Sequence, residues 1–92
     1  MVGCLIQRLK MDMNTRNEIL GAAFAARQQE VLHYQINIDN YTLALAKIQE
    51  LSDAEQTELH SFSEQLRGLL ASEKLEQKKA KIMLAVVQQQ LE

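Results

Sequence analysis

The chain has 92 residues with no Pro, no Trp, three Gly and one Cys, and 47% of it is hydrophobic, including ten Ala and fourteen Leu. With 4% aromatic residues and a formal charge of −2, this is helix-forming material for one domain, and it argues against a sandwich or barrel. The near-neutral balance gives no overall attraction to duplex DNA, and the lone Cys4 rules out an internal disulfide.

Residues 1–13 form a leader in which Val2, Leu5, Ile6, Leu9 and Met13 fall at helical spacing. A short amphipathic helix over residues 2–10 is expected there. Residues 14–92 read as a helical hairpin. Thr15-Arg16-Asn17-Glu18 has the form of a capping box, in which hydroxyl and carboxylate satisfy orphan backbone N–H groups, and it predicts a first helix over 16–51. Phe24, Val31, Ile38 and Leu45 repeat every seven residues, and Leu20, Tyr34, Tyr41 and Ile48 interleave with them. Such a period keeps one seam facing a partner helix. Leu32, Ile36 and Leu43 widen the apolar face beyond that seam. The competing expectation is a break near residues 37–40, where Asn and Asp favour side-chain bonds to the backbone.

Ser52-Asp53-Ala54-Glu55 is a second capping box and predicts a helix over 53–90. Its expected seam begins with Leu59, Phe62, Leu66 and Leu69, crosses a polar stretch from Glu73 to Lys81, and ends with Ile82 and Val86. The apolar run Ile82–Val87 is far shorter than the ~20 residues that span a bilayer, so a cytoplasmic protein is expected.

A fold-back at Leu51-Ser52 gives an all-α antiparallel hairpin of two long helices. It pairs Leu59 with Leu45, Leu66 with Ile38, and Ile82 with Ala22 and Ala23. Arg27 interrupts the first stripe and is costly there unless paired; Glu73 or Glu76 is the expected partner. Two helices bury only one stripe each, which leaves Leu32, Ile36, Leu43 and Leu70 to cover. A homodimer, assembled as a four-helix bundle or coiled coil, is the expected remedy. A three-helix monomer using residues 2–10 is the competitor.

The chemistry-bearing residues are few. Glu30 and His33 match the Glu-x-x-His spacing of di-metal bundles, but they lie toward a flank, where a solvated pair is the ordinary outcome. His60, Ser61 and Ser63 lack a third residue to orient a catalytic triad. Gly3, Gly21 and Gly68 are isolated and form no phosphate loop. No catalytic residue, metal or cofactor is therefore expected. The candidate partner-binding residues are Glu50, Asp53, Glu55 and Glu58 at the acidic tip, and His33, Asn37 and Asn40 on a flank with Lys78 among the second-helix lysines. The expected function is that of a non-enzymatic protein–protein interaction module (an adaptor, inhibitor or assembly factor) acting as a homo-oligomer. The alternative is a nucleic-acid-binding accessory protein using the Lys74–Lys81 face of a dimer.

Overall fold

The structure, a computed structural model, describes residues 13–91. The leader helix expected over residues 2–10 lies outside them. Three helices follow one another: α1 (Met13–Gln49), α2 (Asp53–Glu58) and α3 (His60–Leu91). The long helices α1 and α3 pack side by side as an all-α hairpin. The result is a flat rod of 73 × 23 × 14 Å, one helix thick.

Helix α1 starts earlier than its capping box suggests. Helical backbone already covers Met13 and Asn14, so Thr15 lies within the helix and does not cap it. The helix also runs unbroken through residues 37–40. There the polar side chains bond along the helix or across to α3. The Gln35 amide donates to Asp39 (3.0 Å), Asn37 donates to Glu73 (3.4 Å), and the Thr42 hydroxyl donates to the Ile38 carbonyl (2.7 Å). Groups engaged in this way do not compete for the helix's own N–H donors.

The second capping box does begin a helix. Ser52 is extended (φ −62°, ψ 159°), and its Oγ accepts from the Glu55 N–H at 3.3 Å. Asp53 and Glu55 occupy the first turn of α2 and Lys47 the last turn of α1, each on the side that the helix dipole favours. Among the described residues the turn uses no left-handed residue. Instead, the N–H groups of Glu50 and Leu51 bond back to Lys47 and Ile48. The Gln56 amide donates to the carbonyls of Gln49 (3.1 Å) and Leu51 (2.9 Å). A side chain thereby satisfies helix-end carbonyls that a C-terminal glycine motif usually serves.

Between α2 and α3, Leu59 (φ −96°, ψ 12°) interrupts the helix, yet its N–H still reaches the Glu55 carbonyl. The six residues of α2 close the tip, so the centre of the fold-back falls beyond Leu51-Ser52. Cross-helix contacts move accordingly. Gln77 meets Val31 and Gln35, Asn37 meets Glu73, and Arg16 meets Gln90. This displaces the expected pairing by roughly one helical turn.

The α1 seam follows the expected pattern: its eight apolar members and Arg27 are all buried or half-buried, with Ile38 the most enclosed. The α3 seam does not. It runs through Leu59, Ser63, Leu66 and Leu70, then Glu73, Gln77 and Ala80, and ends on Leu84 and Val87, at alternating spacings of four and three. Phe62, Leu69, Ile82 and Val86 lie outside it and are 47%, 40%, 64% and 43% exposed. The reason is geometric. Leu59 and Leu66 belong to two overlapping stripes, one through Phe62 and Leu69, the other through Ser63 and Leu70. Only the second continues into Ala80 and Val87, and small Ala80 lets the helices approach closely enough to be 3% exposed.

The expected polar layer exists with different members. Arg27 bonds Glu30 on its own helix at 3.1 Å and not Glu73 or Glu76. Buried Gln77 takes its place, donating to the Val31 carbonyl (3.2 Å) and to Gln35 Oε1 (2.8 Å). Among the described residues no buried side-chain polar atom lacks a partner.

Candidate interaction surfaces

A rod one helix thick has two broad faces, and the register assigns residues to each. On the first face Arg16 and Gln90 meet across the seam at 3.4 Å. Stepping by sevens from them gives Ala23, Glu30, Asn37 and Ala44 on α1, all half-buried, and Phe62, Leu69, Glu76 and Met83 on α3. Val86, three residues beyond Met83, borders this row. The acidic groups here are each paired within the chain: Glu30 with Arg27, and Glu76 with Lys79 at 3.0 Å. What remains is apolar bulk on α3 beside small residues on α1.

The opposite face is polar and basic. A shallow groove of about 350 Å³ is lined by Gln28, Leu32 and Gln35 of α1 and by Lys81 of α3, with Val31, Gln77 and Leu84 from the seam. Nearer the tip, a second hollow of about 400 Å³ includes Gln49, Asp53, His60 and Arg67. Gln28, Gln35 and Gln49 on α1, and His60, Arg67 and Lys81 on α3, lie at multiples of seven residues, and Lys74 falls in the same row, midway between Arg67 and Lys81. Lys78 lies one turn from Lys74 on its outer side. Arg67 is paired with Glu64. Lys74, Lys78 and Lys81 are exposed and make no ion pair among the described residues.

The sequence-derived partner residues are not gathered into one site. Asn37 is half-buried on the first face, held by Glu73. His33 and Asn40 are exposed on the outer side of α1, where the His33 ring meets Tyr34 edge-on with centroids 6.2 Å apart. Lys78 belongs to the opposite face. Glu50, Asp53, Glu55 and Glu58 are all exposed at the tip. Of these, Glu50 lies 3.7 Å from Lys47, and Glu55 lends its backbone N–H to the Ser52 cap.

The Glu30/His33 pair faces a shallow hollow on α1 with Ala26, Gln29 and Ile36, and Glu30 is occupied by Arg27. No group of three His, Cys, Asp or Glu residues among the described residues is placed to hold a metal ion. No described helix is long and apolar enough to cross a membrane. Neither a protein-family model nor a curated protein nor a solved structure matches the chain.

Gln28 and Gln35 are invisible as a set in the linear chain, because glutamines are scattered through it. They emerge only when the seven-residue step is carried outward from a correct seam. The signal that finds that seam is the run Gln77, Ala80, Leu84 and Val87, read backwards to Leu70, Leu66 and Ser63.

Proposed function

We propose that this chain is a non-catalytic helical interaction module that acts as a homodimer, pairing through the apolar face. The observation that carries the reading is an inversion in α3. The hairpin encloses Ser63, Gln77 and Ala80 and leaves Phe62, Leu69 and Met83 of the first face, with Val86 at its border, in solvent. Exposed large apolar side chains along one face are the usual mark of a contact surface. Fully burying each contributes about 1.5–3 kcal/mol.

The dimensions suit a second copy. A face 73 Å long and 23 Å wide exceeds the ~800 Å² per partner that a standard interface uses. Two hairpins stacked face to face make a four-helix bundle about a twofold axis. The basic face and the acidic tip point outward and are free to engage another protein, as an adaptor, inhibitor or assembly factor would.

Light scattering coupled to gel filtration tests the reading. The expected mass at micromolar concentration is about twice the 10.5 kDa of the chain. A single-chain mass there overturns it.

A further inference from the structure

The groove on the basic face combines three features. Its floor is apolar, made by half-buried Val31 and Leu84 with exposed Leu32. Its rim carries amide groups of Gln28 and Gln35. Lys81 lines it, and Lys74 and Lys78, seven and three residues before it on the same helix, extend a basic ridge about 10 Å long beyond the groove. None of the three is neutralised by an acid among the described residues, although the chain as a whole carries more acidic than basic groups.

We propose that this groove binds an acidic amphipathic helix of a partner protein, which lays leucine-like side chains on Leu32, Val31 and Leu84 and sets glutamates against Lys74, Lys78 and Lys81. Helix-in-groove recognition needs an apolar trough with anchors repeating along one helix face, and a groove of about 350 Å³ accommodates a few such side chains. The lysine ridge supplies the complementary potential that selects and orients an acidic partner.

Nucleic acid fits the same surface less well. Three cations over about two helical turns release few counterions. Among the described residues no Phe, Tyr or Trp lies beside the lysines to stack a base, and a phosphate backbone gains nothing from Leu32. Ala71 and Ala85, interleaved with the lysines, add further apolar surface.

This inference rests on the reading of the chain as an interaction module but not on its dimerisation, and the experiment separates the two. The probe is a set of fluorescein-labelled synthetic peptides of about three heptads, with leucine at i, i+4 and i+7 and glutamate on the flanks. Anisotropy is read against the full chain, with a polyglutamate peptide of equal length, a single-stranded oligothymidine and a short DNA duplex as competitors. We expect saturable binding of at least one leucine–glutamate peptide. It should weaken at least tenfold in K78E/K81E and at least tenfold in Leu32→Asp, and polyglutamate should bind at least tenfold more weakly. Circular dichroism on both variants confirms that these exposed substitutions leave the hairpin folded.

Absence of peptide binding at 100 µM overturns the proposal, as does full retention in Leu32→Asp. Displacement of the peptide by either oligonucleotide assigns the ridge to nucleic acid and equally overturns it. Peptide binding retained in a Leu69→Lys variant of single-chain mass leaves the groove intact apart from self-association. Loss of peptide binding with wild-type dimer mass condemns the groove alone.

Discussion

The two broad faces of the hairpin share one seam and one helical period but differ in how their charges are settled. On the apolar face every acidic group in the row is met within the chain: Glu30 by Arg27 and Glu76 by Lys79. On the basic face Arg67 is met by Glu64, and Lys74, Lys78 and Lys81 have no acid partner among the described residues. Apolar bulk divides the opposite way, with Phe62, Leu69 and Met83 on the face whose acids are paired. A surface whose acids are paired within the chain and which exposes large side chains suits a dry contact with a like surface. A surface that keeps net charge suits a partner of the opposite sign.

Substitutions on the seam and on each face separate these roles. The largest effect is expected from Ile38→Asp, which places a carboxylate at the most enclosed point of α1 and removes the platform for both faces. We expect a loss on the order of 3–5 kcal/mol, read as collapse of the thermal transition in circular dichroism. Leu69→Lys comes next. It should cost the dimer about 2 kcal/mol per copy and shift sedimentation equilibrium toward the single-chain mass, with peptide binding unchanged. Gln77→Ala removes the donor that Val31 and Gln35 share. It should lower stability by about 1–2 kcal/mol in urea titration without favouring either face. Lys78→Glu is the smallest, within about 0.5 kcal/mol of wild type in the same titration and with no change in mass. A Lys78→Glu chain that falls to single-chain mass would reverse the assignment of faces.

Much of this was legible in the sequence, and the gaps have physical causes. The α1 seam was readable because its seven-residue repeat is marked by large apolar residues from Leu20 to Ile48. The turn was readable because Ser52 and Glu55 make a local motif that needs no tertiary context. The α3 seam was obscured by Phe62 and Leu69, which are larger than the residues the hairpin encloses. Close packing of two helices rewards fit as well as bulk, and Ser63 and Ala80 fit. The Arg27 partner was misplaced because the length of the tip, set by Gln56 bonding back to Gln49 and Leu51, determines the register of every later pair. The continuity of α1 through Asn37 and Asp39 depended on bonds to Glu73 and Gln35, and the first of these is visible only once α3 is in place.

In the proposed dimer, α3 turns one side toward α1 and another toward a second copy of the chain. Thiol labelling tests that division directly, in a Cys4→Ser background with single cysteines introduced as Leu69→Cys or Lys78→Cys. At concentrations well above dimer dissociation, the Leu69→Cys thiol should react at least tenfold more slowly than that of Lys78→Cys, and the gap should narrow on dilution. Equal rates at both positions at every concentration would contradict the account, because they would mean that nothing covers the apolar face.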